Sequence, residues 1–512
     1  MMHGREKSDP AVVAEKLANE AERSAEESVE PRAGAEGNAR ESDMRRALDR
    51  ESVVHDLDRI RHAARHKKEA RFTTLLTHIT AARLREAFCA LKRDAAPGVD
   101  GMTWHAYEAD LEARLTDLQD RVHKGGPYHP LPSRRRWIPK PDGRQRPLAV
   151  AALEDKIVQR SVTEVLNAIY EEDFLGFSYG FRPGRSQHDA LDALTAAITS
   201  RRVNWIIDTD IRSFFDTVSQ DWLTRFLGRR VGDERIIRLI RKWLQAGVLE
   251  DGVVTVSEMG TGQGSVISPL LANIYLHYVF DLWADQWRRT KASGDMIIVR
   301  YADDVIVGLE HEADARRFLD AMRARFEEFA LTLHPDKTRI IEFGRHAAAN
   351  RERRGLGKPE TFNFLGFTHI CAKGGKGGFF VKRKSRRDRM KAKLKEIKDK
   401  LRRCTHQPLP VIGRWLGQVV RGYFNYHAVP SNTAAIATFR YQVMRLWRHA
   451  LRRRGDRDAT TWHRITRLAN DYLPVPRTLH PWPERRFAVK HPRWEPYAGK
   501  PLVRFCAGGA HQ

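Results

Sequence analysis

Ile297-Ile298-Val299-Arg300-Tyr301-Ala302-Asp303-Asp304-Val305-Ile306-Val307 is the stretch whose reading decides the fold. Two short β-branched, apolar runs flank a tight polar corner, the pattern of a buried hairpin with two adjacent carboxylates at its tip. Two unpaired aspartates beside a core cost several kcal/mol unless something cationic neutralises them. A divalent metal does so, and oxygen-only ligands suit Mg²⁺. The competing reading is a solvated Asp-Asp turn, and the rest of the chain decides between the two.

Upstream lies a second acidic stretch, Asn204-Trp205-Ile206-Ile207-Asp208-Thr209-Asp210-Ile211-Arg212-Ser213-Phe214-Phe215-Asp216. An apolar strand ends in Asp208 and Asp210, two residues apart and so on one strand face. Between the two stretches, Gly260-Thr261-Gly262-Gln263-Gly264 forms a glycine loop that feeds Ser268 as N-cap and Pro269 at the first helical position. Asp210 and the Asp303–Asp304 pair share one site if their strands lie side by side. Three carboxylates then hold two Mg²⁺, with Asp208 and Asp216 in structural or supporting roles. Helix, strand and loop alternate without a long parallel series, which predicts an α+β fold with an antiparallel sheet.

Composition narrows the partner. The 512 residues suit about three or four domains. The net charge is +25, from 90 Lys+Arg against 65 Asp+Glu. Such an excess favours a polyanion, nucleic acid before anionic membrane. No run reaches the length of a membrane span and no hydrophobic signal core opens the chain, so a soluble cytoplasmic protein is expected. Cys89, Cys371, Cys404 and Cys506 are scattered, which argues against a zinc site or a disulfide framework.

Residues 1–70, rich in Ala, Glu, Arg and Ser, read as a disordered or loosely helical extension. Helical spacing begins near Leu75 and recurs from Tyr107 to Val122 and from Leu153 to Tyr170. Trp137-Ile138-Pro139-Lys140 and Arg144-Gln145-Arg146-Pro147-Leu148 bracket a turn, making a basic hairpin that either grips a phosphate chain or is merely solvated. Gly176–Ser186 is a glycine- and arginine-rich loop that lets a backbone approach a ligand closely.

In this order, Tyr128–Leu148, Phe177–Ser186, Asp210–Asp216, Gln263–Asn273, Tyr301–Asp304, Leu331–Thr338 and Phe364–Gly366 resemble the successive blocks of reverse transcriptases. The nearest resemblance is to bacterial group II intron-encoded reverse transcriptase/maturases, and it covers about residues 51–512. It implies a right-hand polymerase: fingers and palm over 71–370, a helical thumb/maturase domain over 371–455, and a small basic appendix over 456–512. The implied activity is RNA-directed DNA polymerisation by two-metal nucleotidyl transfer, with splicing and mobility roles. The implied partners are group II intron RNA, an RNA template with a DNA primer, dNTPs and target DNA, without a membrane.

By position the resemblance makes Asp210, Asp303 and Asp304 catalytic, and Asp210, Ile211, Asp303 and Asp304 the metal-holding set. Lys140 and Arg146 match triphosphate-contacting cations, and Gln263 a nucleotide-contacting glutamine. Phe215 matches the bulky residue that excludes a 2′-hydroxyl. Gly262 departs from the family's usual proline, and a loosened backbone before Gln263 is the expected consequence.

Beyond the palm, residues 345–360 read as a linker. A helix from Arg386 to Arg403 carries a narrow apolar stripe of Met390, Leu394, Ile397 and Leu401. Its basic remainder, including Arg386, Lys391 and Lys395, is expected to meet nucleic-acid backbone. Arg421 and Tyr423 fall on the next helix, where the resemblance implies an RNA grip, although aromatics at helical spacing also suit a core. The absence of paired cysteines and of a nuclease cluster implies a member lacking the endonuclease domain. The alternative function is a splicing maturase whose palm is an inherited scaffold, while a DNA-templated polymerase or nucleotidyl cyclase fits less well.

Overall fold

The computed structural model describes residues 56–124, 128–139, 145–375, 377–454 and 461–490. Its strands are β1 (Ser133–Pro139), β2 (Gln145–Val150), β3 (Trp205–Thr209), β4 (Val248–Glu250), β5 (Val253–Thr255), β6 (Met296–Tyr301), β7 (Asp304–Leu309), β8 (Arg339–Glu342), β9 (Phe362–Phe364), β10 (Phe367–Lys373) and β11 (Phe379–Ser385). They form three sheets, ordered β6-β7-β3-β8, β2-β1-β4-β5 and β11-β10-β9. With many helices around them, the expected α+β class holds.

The central sheet is antiparallel throughout and covered on both faces. Ile298, Val305, Val307 and Ile207 belong to the larger core, whereas Ile297, Val299, Ile306, Ile206 and Ile341 belong to a second one. Alternate residues of one strand therefore enter different cores, which is why β6 and β7 read as continuous apolar runs. Helices Leu153–Asp173, Ser268–Leu276 and Glu312–Glu328 supply the first core. Gln187–Ser200, started by a Ser186–Asp189 capping box, supplies the second.

A third core joins helices Arg387–Arg403, Leu409–His427, Thr433–Arg452 and Trp462–Tyr472. The predicted stripe is the face that packs: Ile397 and Leu401 are buried, and Met390 and Leu394 lie against them.

Several expectations change. Residues 56–66 form a helix whose Leu57, Ile60 and Ala64 are buried, so this part of the extension belongs to the globular body. The remainder of the extension, residues 1–55, lies outside the described residues, as do Lys140, Cys506 and Trp494. The linker contains the helix Ala347–Arg353. In the expected C-terminal appendix, Ile465, Ala469 and Leu473 complete the third core, and helix Pro483–Lys490 returns to pack on Gln187–Ser200. Ser268 does not cap its helix; Ile267 occupies that place, and the Ser268 hydroxyl donates back to the carbonyls of Thr261 and Gly262.

Candidate active site

The hairpin register brings the acidic stretches together. Tyr301 faces Asp304 across the β6–β7 turn, and Thr209 faces Val305 between β3 and β7. Continuing that antiparallel register by one residue sets position 210 beside position 304. Beyond β3 the chain stays tied down: His334 N–H donates to the Asp210 carbonyl at 2.8 Å, and Ile211 bridges Leu333. The Ile211 side chain points into the core, so only its backbone borders the carboxylates.

That placement shifts the carboxylates. Asp304 is pushed up to about 7, by burial first and then by the charges of Asp303, Asp210 and Asp208. Asp303 is also raised, by burial and by Asp210, while Arg146 and Arg300 pull against the rise. Asp304 is nonetheless open to solvent on its outer side, at the tip of β7. Asp208 is raised to about 6 by burial, with Arg339 opposing from 3.4 Å. Asp210 accepts from Lys337 Nζ at 2.5 Å. Among the described residues no three His, Cys, Asp or Glu side chains already stand at metal-ligand spacing. The donor set is still right for a hard divalent cation: clustered carboxylate oxygens whose mutual repulsion such an ion relieves.

The segments carrying Phe215, Gln263 and Arg146 meet through their backbones. Phe215 lies half-buried in the short helix Phe214–Thr217, its ring edge-on to Phe214 at 5.4 Å. Its carbonyl accepts from Thr261 N–H at 2.9 Å, and the Gln263 carbonyl accepts from Ala149 N–H, at the end of β2, at 2.7 Å. The glycine loop is thus stitched to the Phe215 helix on one side and to the basic β1–β2 hairpin on the other. Arg146, opposite Ile138 in that hairpin, is one of the two cations felt by Asp303. Gly262 is not simply loose. It takes φ 65, a left-handed conformation closed to proline, whose ring fixes φ near −65°. The loop thus follows a path that proline could not take.

The residues expected to meet nucleic acid divide. Lys391, Lys395 and Arg421 are exposed. Arg386 is committed to an ion pair with Asp388, with contacts of 3.1 and 2.5 Å. Tyr423 is half-buried: its ring stacks on Phe439 at 3.7 Å and lies tilted against His427 at 4.2 Å, packed on the third core. Sequence reasoning also passed over Lys337, Asp281, Asn273 and Arg300. Of these only Arg300 carried a signal, since an arginine inside an apolar strand demands partners.

A family described as reverse transcriptase (RNA-dependent DNA polymerase) has a model that matches residues 138–369. Protein YkfC of Escherichia coli (strain K12) is 36% identical over 278 residues, which is 48% of this chain and 72% of that protein. An uncharacterized 91 kDa protein in the cob intron of Schizosaccharomyces pombe is 29% identical over 411 residues, covering 67% of this chain and 50% of its own length. The group II intron-encoded protein LtrA of Lactococcus lactis is 39% identical over 155 residues, 30% of this chain and 26% of LtrA. The chain thus spans most of the first relative and half or less of the other two. Among the described residues no helix is long and apolar enough to cross a membrane.

Proposed function

This chain belongs to the group II intron reverse transcriptase/maturase family, and from that premise we propose that it copies RNA into DNA and grips structured intron RNA with its thumb. One observation carries the polymerase reading: the β6–β7 register delivers Asp303 and Asp304 beside the end of β3, where Asp210 raises the proton affinity of both. Two Mg²⁺ held by Asp210, Asp303, Asp304 and the Ile211 backbone would supply activation of the primer hydroxyl and charge neutralisation at the leaving pyrophosphate.

The chain's own side chains do the remaining work. Arg146, with Lys140, steadies the triphosphate of the incoming dNTP. The half-buried Phe215 ring would exclude a ribose 2′-hydroxyl, and the stitched glycine loop would hold Gln263 for the nucleotide. Lys391, Lys395 and Arg421 offer exposed cations to phosphates of template, primer or intron, contacts that carry affinity rather than sequence information. Insertion into target DNA belongs to the same proposal.

Extension of a DNA primer on poly(rA) with Mg²⁺ tests the reading. Asp303→Ala should lose about three orders of magnitude or more in rate, as expected when a metal clamp is removed. RNA binding by the variant should persist. A wild-type protein that promotes splicing yet incorporates no dNTP would make it a maturase on a silent palm.

A further inference from the structure

Arg300 is fully buried in β6, directly beneath the Asp303–Asp304 turn. All five of its N–H groups are used. Nε and Nη2 donate to the two Asp281 oxygens at 2.7 and 2.6 Å, and Nη2 also donates to Ser178 Oγ at 2.7 Å. Nη1 donates to Asn273 Oδ1 at 3.0 Å and to the Ala302 carbonyl, within the turn itself, at 3.1 Å.

The partners come from separate elements. Asp281, also fully buried, ends the π-helical turn His277–Asp281 that links helices Ser268–Leu276 and Leu282–Thr290. A π-turn inserts a residue and re-aims the helix face, a device concentrated at functional sites. Asn273 donates onward to the Gly180 carbonyl at 2.7 Å. The Phe177–Tyr179 segment runs along the edge of β6: Arg300 N–H donates to the Phe177 carbonyl, and Tyr179 N–H to the Arg300 carbonyl, both at 2.8 Å. At its end Gly180 presses on the turn so closely that a Cβ there would stand 2.2 Å from the Ala302 nitrogen.

Ala302 meanwhile sits at φ 55, which a non-glycine residue keeps only when its surroundings over-determine it. A buried ion pair contributes little net stability compared with apolar packing of the same volume. It does supply direction. We propose that Arg300, Asp281, Asn273 and Ser178 are positioning residues that fix the Ala302 carbonyl, and with it the angle at which Asp303 and Asp304 leave the turn. The role in polymerisation rests on the reading above, whereas the role in holding a cation does not.

The comparison variant comes from another buried pair, Arg383 and Asp192 at 2.8 Å, which ties β11 to helix Gln187–Ser200 and does not touch the turn. Asn273→Ala and Asp192→Asn would be measured in the full chain for Tm, for Mn²⁺ affinity by electron paramagnetic resonance, and for primer extension. Asn273→Ala should weaken Mn²⁺ binding about tenfold or more and lower kcat about tenfold or more with the KM for dNTP unchanged. Asp192→Asn, at a similar loss of Tm, should leave Mn²⁺ affinity within about twofold of wild type. Equal effects in the two variants, or no effect of Asn273→Ala, would overturn the proposal. Should Asn273→Ala fail to fold, Ser178→Ala, which removes a single bond to Nη2, carries the same comparison. A wild-type protein that extends no primer would sink the polymerase reading, and the Mn²⁺ titration would still decide the positioning role.

Discussion

Both the β6–β7 and the β9–β10 hairpins turn through two residues, with Tyr301 facing Asp304 and Phe364 facing Phe367. Each puts a non-glycine residue in the left-handed region, Ala302 at φ 55 and Leu365 at φ 44. In each, the carbonyl of that residue accepts a side-chain hydrogen bond, from Arg300 at 3.1 Å and from the Tyr426 hydroxyl at 2.7 Å. The difference lies in who holds the turn and what it displays. The first displays carboxylates and is held by a buried cation anchored on Asp281, Asn273 and Ser178. The second displays buried phenylalanines and is held from thumb helix Leu409–His427. One backbone device is therefore tied in one case from its own strand, by Arg300, and in the other from a helix some sixty residues further along the chain, by Tyr426.

Asp303→Ala is the severest way to break the comparison, because it removes the charge that only the first turn carries. The thousandfold loss expected of it should have no counterpart at the second turn. Gly180→Ala comes next. Its added Cβ would meet the Ala302 backbone at 2.2 Å, and backbone cannot swing aside as a side chain can. A displacement near 1 Å of the turn should lower kcat about a hundredfold, with template–primer affinity unchanged in an anisotropy titration.

Proton linkage sharpens the contrast. Asp304 sits at about 7 in the folded chain, raised by burial and then by Asp303, Asp210 and Asp208. An unfolded aspartate titrates near 3.9, about three pH units lower. Between those values the native state binds more protons than the unfolded one, so this group makes stability fall as pH rises. Without divalent cation, the Tm of the wild type relative to Asp304→Asn should decline across that window. A flat difference would mean that neither burial nor the neighbouring carboxylates raise this group. No such slope is expected from the second turn, which carries no ionisable group.

How much of this could be read from residues follows the range of the interactions. The Asp-Asp hairpin, the β3 strand and the Met390–Leu401 stripe are legible because period and turn chemistry are local. Tyr423 is not, because its helix spacing suits a core while the resemblance implies an RNA grip, and its stacking on Phe439 of the following helix appears only in the fold. Helix Trp462–Tyr472 looks like part of a basic appendix until its Ile465 and Ala469 find the thumb. Gly262 was visible as a departure, but its φ of 65 was not, since only the stitching of the loop to Phe215 and Ala149 imposes that path. Lys337 meets Asp210 across 127 residues, a distance no pattern spans.

The smallest effect expected is at the second turn, and its kind matters more than its size. Tyr426→Phe deletes the hydroxyl that donates to the Leu365 carbonyl while keeping the ring that stacks on Phe367 at 5.6 Å. Loss of one such bond should cost about 1 kcal/mol of stability. Because the bond ties thumb helix to palm turn, the kinetic change should fall on affinity for template–primer rather than on kcat at saturation. Asn273→Ala should show the reverse, a loss in kcat with nucleic-acid affinity preserved. Stopped-flow extension at saturating and limiting template–primer separates the two. If Tyr426→Phe instead lowers kcat alone, the second turn serves the chemistry directly, and the division of labour between the two hairpins is wrong.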